Sequence, residues 1–196
     1  GYGDEITAQM VSGNFFQTVG ITAAAGRTLV PSDDLASAEP AVVVSHGYWS
    51  RRFSQDPTAI GKRVLLNGVL SATIVGVLPA DFHIGRGVVP DFSIPFAFEK
   101  QLVSGLLAPE NWGLSIVARM KSGYSAEQVE GGVQGMFEGA VLQELPNTSP
   151  ADMPKLAVIS GSRGFSMGVV STFFGQGPRR INLLALLGGV FIVLLL

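Results

Sequence analysis

The sequence predicts a mixed domain of β-strands and α-helices that runs into the beginning of a membrane helix. Three observations predict it. Two apolar arms flank Asn67-Gly68 as in a β-hairpin, and a helical repeat over Ser125–Leu145 lies between two strand-like runs. The last sixteen residues, Ile181–Leu196, carry no charge and one clearly polar side chain, Asn182.

From the N-terminus, Glu5–Val11 is expected to form a short strand. Ser12-Gly13-Asn14 then caps a brief helix over Phe15, Phe16 and Val19, which Gly20 ends. Ala41-Val42-Val43-Val44 is a β-branched run bounded by Pro40 and by Ser45-His46-Gly47. It reads as a buried strand turning into a helix through Tyr48, Trp49 and Phe53. The arms Arg63–Leu66 and Val69–Leu78 enclose Asn67-Gly68, a pair that supplies the two positive φ angles of a type I′ turn, and Pro79 closes the second arm. Residues 81–111 form a looser connection, with a short strand at Phe92–Phe96 and a weak helix after it.

A β-α-β unit follows, made of a strand at Gly113–Met120, a helix at Ser125–Leu145 and a strand at Lys155–Ser160. The helix opens on Ser125-x-x-Gln128, a capping box in which each side chain satisfies an exposed backbone donor. Val129, Val133, Met136, Phe137 and Ala140 are expected on its buried face. Gly131, Gly132, Gly135 and Gly139 each cost about 1 kcal/mol relative to alanine in a helix interior. Gly131 and Gly135 point away from the apolar face, which leaves two readings: a weak solvent-side face, or close backbone contact with a second protein or subunit.

All 13 basic and 15 acidic residues precede position 181, so the first 180 residues have ordinary domain polarity. As a helix the terminal run would reach roughly 24 Å against a hydrocarbon core of about 30 Å. A buried core helix competes with a membrane span here. The run has no polar stripe, since leucine, valine, isoleucine and phenylalanine surround the axis, and this favours the span. A net charge of −2 with only isolated basic doublets argues against nucleic acid as a partner. The absence of cysteine excludes disulfides, thiolate catalysis and cysteine-type zinc sites within this stretch. Gly1–Glu5 shows no signal peptide, so an export signal would lie upstream.

The candidate catalytic motifs each fail at a position the chemistry requires. Ser45 follows a strand like the nucleophile of Gly-x-Ser-x-Gly, but Val43 stands where the strained turn needs glycine; Ser45 reads better as a helix cap. Gly61-Lys62 lacks the opening glycine and the closing hydroxyl of a phosphate loop. His46 and His83 are too few, and too far from spaced carboxylates, for a convincing metal site, although Asp33, Asp34 and Asp81 could in principle converge; Asp33-Asp34 after Pro31-Ser32 reads better as a turn or helix start. Glu110, Glu127, Glu130, Glu138 and Glu144 single out no acid/base pair, four of them being spread along one helix. No catalytic, cofactor-binding or metal residues are therefore assigned.

Val11–Phe16, Val19-Gly20-Ile21, Ala25–Leu29 and Asp33-Asp34 resemble the extracytoplasmic core domain of MacB-like ABC-transporter permeases. The order continues through Val42–Trp49, Arg51-Arg52-Phe53, Asp56-Pro57, Ile60-Gly61-Lys62, Leu66-Asn67-Gly68 and Ile74–Pro79, so that the similarity covers about Val11–Pro95. Pro109–Ser160 is similar only in the layout of its elements. The nearest subgroup is the large permeases whose ATPase is a separate chain.

The resemblance implies an α+β fold with a porter-like pair of β-α-β halves and an inserted β-rich subdomain. Residues 1–178 would be the core domain, lacking its opening part, with about 1–97 as the first half plus the β-rich part and about 111–161 as the second half. Residues 179–196 would begin a transmembrane helix in the bacterial inner membrane. The implied function is mechanical: a separate cytoplasmic ABC ATPase moves membrane helices, and these rearrange the periplasmic domains of a homodimer or paired permease during substrate export. Membrane lipid and a periplasmic adaptor are further implied partners; no cofactor is implied. Gly177-Pro178-Arg179-Arg180 would be the hinge between domain and helix, although Arg179-Arg180 on the outer side runs against the positive-inside tendency. A membrane-anchored binding or signalling module is the alternative. An enzyme would require a deep pocket with convergent polar groups around Ser45 and His46.

Overall fold

The computed structural model describes residues 5–83, 89–103, 115–150, 153, 157–160 and 191–195. Two units divide the chain: Gly1–His83 with Val88–Ser104, and Ile84–Gly87 with Gly105–Leu196. The first holds strands β1 (Ala8–Val11), β2 (Ala25–Gly26), β3 (Ala41–Val44), β4 (Arg63–Leu66), β5 (Leu70–Val77) and β6 (Phe92–Pro95). It also holds helices α1 (Phe15–Val19), α2 (His46–Phe53) and α3 (Glu99–Leu102). The second contains β7 (Ser115–Arg119), α4 (Ala126–Glu144), β8 (Ala157–Ser160) and β9 (Phe191–Leu195). The architecture is mixed α and β, as expected.

In the first unit one sheet runs β1-β6-β3-β5-β2, with β4 also on β5. It is a mixed sheet: β1/β6 and β3/β5 are parallel, whereas β3/β6, β2/β5 and β4/β5 are antiparallel. Central β3 is buried at all four residues, which explains its unbroken β-branched sequence, because a strand covered on both faces has no use for alternation. Val42, Val44, Leu70, Ala72, Ile74, Phe92 and Ile94 form one core with Tyr48 of α2, whose ring meets Phe92 edge-on at 4.7 Å. Elsewhere in the unit, buried Phe16 of α1 contacts Phe82 at 5.8 Å between ring centroids.

Local chemistry sets the element ends. Gly20 caps α1 in the left-handed conformation at φ 76° and donates to the carbonyls of Phe16 and Gln17. Ser45 Oγ accepts the Tyr48 N–H at 3.1 Å and starts α2. Asn67 and Gly68 take φ 48° and 73°, and the Val69 N–H closes the turn on the Leu66 carbonyl at 3.0 Å. Pairing then resumes at Leu66↔Leu70, leaving Val69 exposed outside the ladder. Strand β1 starts at Ala8 instead of Glu5, since the Thr7 carbonyl accepts the N–H groups of Asp91 and Phe92 just before the parallel register begins.

The short β2 was not anticipated from the sequence. It pairs Gly26 with Gly76, where neither backbone has room for a side chain: a Cβ on Gly76 would lie 2.0 Å from the Arg27 carbonyl oxygen, and one on Gly26 2.3 Å from that of Val75. Beside this crossing the β3/β5 register slips by one residue between Val42 and Val43.

In the second unit the predicted capping box of α4 is present, with the Gln128 N–H on Ser125 Oγ at 3.3 Å and the Ser125 N–H on Gln128 Oε1 at 2.8 Å. Val129, Val133 and Phe137 pack with Ala118, Met120 and Val158 as expected. Two assignments to this face need correction. Met136 is 70% exposed and Ala140 is exposed, while Val141 is fully buried, because the stripe follows i, i+4 spacing through 129, 133, 137 and 141. The glycines at 131, 132, 135 and 139 are exposed, and a Cβ on any of them meets no atom within 4 Å. Within this chain they form the solvent-side face.

Strands β7 and β8 run parallel, as a β-α-β unit requires, but β9 lies between them and pairs with both. Phe191–Leu195 therefore differs from the expected helix. A short apolar run has no periodicity that separates a helix from a strand buried on both faces, and Ile192 and Val193 add β-branched character. Among the described residues no helix is long and apolar enough to cross a membrane. The expected hinge Gly177–Arg180, the run from Ile181 to Val190, and Glu110 lie outside the described residues.

The glycines yield opposite expectations. Gly135→Ala should stabilise the chain by about 0.5–1 kcal/mol, as helix propensity rises in open space. Gly76→Ala should destabilise it by roughly 1–3 kcal/mol through overpacking against the β2 backbone. Urea unfolding of the two variants beside the parent chain measures both.

Candidate functional site

Three carboxylates brace the first unit: two tie segments that the sequence keeps apart, and one closes a local loop. The first is Asp34. Its Oδ2 accepts the Gly13 N–H at 3.0 Å and its Oδ1 the Ala97 N–H at 2.8 Å, so that one side chain joins the entrance of α1 to the turn after β6. Gly13 must be glycine here, because a Cβ would stand 2.6 Å from the Val30 carbonyl oxygen and 2.9 Å from the Asp34 Cβ.

Asp33, buried beside it in sequence, serves a different partner. Arg27 grips it with both terminal nitrogens, Nη1 at 2.6 Å and Nη2 at 2.9 Å, and the Val30 N–H donates to Oδ2 at 2.9 Å. This paired, bidentate geometry raises the Arg27 pKa, mainly through the hydrogen bond to Asp33. The pair fixes the loop that leaves β2 against the 3₁₀ turn Pro31–Asp33.

Asp91 is the third. Arg51 Nη2 of α2 lies 2.7 Å from Oδ1, the Thr7 N–H donates to Oδ2 at 3.2 Å, and the Asp91 carbonyl accepts the Ser45 N–H at 2.8 Å. One residue thus binds the approach to β1, the β3–α2 junction and the start of β6. Asp91 was missed in the sequence; its signal was an acid after Pro90, directly before the apolar run of β6.

Beside this third clasp is a shallow cleft of about 200 Å³, bordered by Ser45, His46, Gly47, Arg51, Phe82, His83 and Asp91. The structure brings both histidines to its rim, which sequence spacing did not reveal. Ser45 and His46 each have another partner there. Ser45 is 4% exposed and its oxygen caps α2, while His46 Nδ1 sits 3.4 Å from Ser50 Oγ and its ring contacts Trp49 edge-on.

The other candidates separate. Asp33 and Asp34 belong to their own clasps and Asp81 is exposed; among the described residues no three histidine, aspartate or glutamate side chains form a metal-binding group. Gly61 takes φ +88° and donates to the Ile74 carbonyl, and Lys62 Nζ lies over the Phe53 ring at 5.3 Å, so that this pair anchors the approach to β4. On α4, Glu130 accepts the Val158 N–H at 3.2 Å and Glu138 the Gln134 amide at 2.7 Å, while Glu127 and Glu144 are exposed. The Ser125 hydroxyl lowers the Glu127 pKa, and the Thr58 hydroxyl, with the Thr58 N–H, lowers that of Asp56.

Gly13, Gly26, Arg27, Asp33, Asp34, Ser45 and Gly76, all within the motifs that carry the family resemblance, are thus close approaches, clasps and caps. The sequence profile of the MacB-like periplasmic core domain matches residues 1–135. The chain belongs to this family. A search of curated proteins finds no match to it. The profile match spans the first unit, β7 and the first half of α4. Membership identifies a periplasmic domain of an ABC-transporter-type permease, a setting that includes a cytoplasmic ATPase.

The clasps of this MacB-like domain carry a direct expectation. Asp34→Ala strands the N–H groups of Gly13 and Ala97 and should lower unfolding stability by about 3 kcal/mol, given about 1.5–3 kcal/mol for a hydrogen bond to a charged group. Urea denaturation at neutral pH reads the loss.

Proposed function

We propose that this MacB-like domain is a non-catalytic transmission element: ATP binding and hydrolysis on a separate chain move membrane helices, and the domain carries that movement outward to drive export. The observation that supports this most is the distribution of charge-bearing contacts. Asp34 and Asp91 join distant segments into one body, Asp33 stiffens the loop between Arg27 and the turn at Pro31–Asp33, and a body tied in this way transmits displacement instead of absorbing it. Use of Ser45 as a cap argues in the same direction, since it occupies the one hydroxyl placed like a nucleophile.

The reading includes residues 1–178 as the extracytoplasmic domain of an inner-membrane permease, with a second permease copy, lipid and an adaptor as partners. It places Ile181–Leu196 as the attachment to the membrane, with Gly177–Arg180 as its hinge. A membrane placement and the β9 strand are alternative positions for Phe191–Leu195, and these residues cannot occupy both.

This stretch has no cysteine of its own, so a probe introduced here is unique within it once any cysteines elsewhere in the complex are replaced. In the full permease with its ATPase, a donor at Val69→Cys, on an exposed turn, should change its energy transfer to headgroup acceptors when ATP is added. A constant signal from a complex that hydrolyses ATP would overturn the transmission reading. In the same complex, a fluorophore at Val193→Cys should be quenched by brominated lipid chains. Full emission there would instead assign the segment to the sheet.

A further inference from the structure

The hairpin between β4 and β5 carries a chemical liability that the fold leaves open. Loss of an asparagine amide begins when the next residue's backbone nitrogen attacks the side-chain carbonyl carbon, so it requires an accessible amide and an unengaged nitrogen. Three asparagines lie among the described residues: Asn14, Asn67 and Asn147. At Asn14 the following nitrogen is occupied, because the Phe15 N–H donates to the Ser12 carbonyl at 2.9 Å, and the side chain accepts the Ser12 hydroxyl at 2.8 Å. At Asn147 the Thr148 N–H donates to the Leu145 carbonyl at 3.1 Å. Asn67 differs on both counts: it is exposed, and neither its amide nor the Gly68 N–H makes a hydrogen bond among the described residues. Space around Gly68 is also open, with no atom within 4 Å of where a Cβ would stand.

We propose that Asn67-Gly68 is a site of spontaneous deamidation in the folded protein. The Gly68 nitrogen forms a bond to Asn67 Cγ as the Cγ–Nδ2 bond breaks, and ammonia leaves with the proton from Gly68. Water then opens the five-membered imide. Opening at Cγ gives an aspartyl residue, and opening at the main-chain carbonyl gives an isoaspartyl linkage, in which the chain runs through the former side chain.

The two products act differently on the hairpin. Aspartate tolerates the positive φ that Asn67 holds at 48°, so the aspartyl form keeps the turn and adds one negative charge. The isoaspartyl form inserts a methylene between Leu66 and Val69, whose hydrogen bond of 3.0 Å closes the turn. Among the described residues strand β4 pairs only with β5, and Leu66 is buried beside that turn, so the isoaspartyl form loosens β4 from its turn end.

The test incubates the intact chain in mildly alkaline buffer, folded or in urea, and follows each asparagine by peptide mass mapping, with isoaspartyl-specific methylation to separate the products. In the folded chain Asn67 should convert several-fold faster than Asn14 or Asn147, and its rate should stay within several-fold of that in urea. Persistence of Asn67 in the folded chain under conditions that convert it in urea overturns the proposal, as does equal conversion at all three. Hydrogen exchange on the purified isoaspartyl form should show faster exchange at Val64–Leu66, whereas unchanged protection there would refute the loosening of β4.

Discussion

Strand β3 has no face turned to water. Ala41, Val42, Val43 and Val44 are all buried, and its two neighbours in the sheet, β5 and β6, occupy both of its edges. A strand in this position is stable only if elements outside the sheet cover it above and below, and covering elements must be held in place against their own conformational entropy. Helix α2 follows β3 directly through the Ser45 cap and brings Tyr48 onto Phe92. The clasps supply the longer ties: Arg51 of α2 to Asp91 before β6, and the entrance of α1 to Asp34. The glycine crossing of β2 over β5 extends the sheet where side chains would have kept the strands apart.

What could be read from the sequence was chemistry confined to a few neighbouring residues. The Asn67-Gly68 turn, the Ser45 cap and the Ser125/Gln128 capping box each need only a span of four residues or so, and all three are present. Features that depend on distant partners were not legible in the same way. Ala25-Gly26 becomes a strand only because Gly76, fifty positions away, lets the backbones meet. Asp91 matters because Thr7, Ser45 and Arg51 converge on it. Phe191–Leu195 is apolar enough for either a span or a central strand, and its neighbours β7 and β8 supply the ladder on both sides. On α4, the helical period gave the correct stripe through Phe137 but assigned its edge to Met136 and Ala140 instead of Val141.

The same contrast explains what the family signature means. Its glycines and aspartates look like a binding site in one dimension, where small and acidic residues often accompany phosphates or metals. In three dimensions Gly13, Gly26 and Gly76 mark places where backbones touch, and Asp33 and Asp34 accept hydrogen bonds from the protein itself. Such a signature specifies a scaffold. A MacB-like domain can therefore be recognised from residues whose work is to close the fold.

Pairing of β1 with β6 also sets the order in which this unit can be completed. Thr7 and Asp91 are 84 positions apart, and Ala8 can meet Phe92 only once that whole length of chain is present. At a synthesis rate of roughly 5–20 residues per second, β1 waits about 4–17 s for its partner after it is made. During that interval the first strand is an unpaired edge, and the α1 entrance lacks the link through Asp34 to Ala97. Asp91 reaches Thr7 first and Ala97 reaches Asp34 six residues later, so the unit gains its full cooperativity only when β6 and the turn after it have been made.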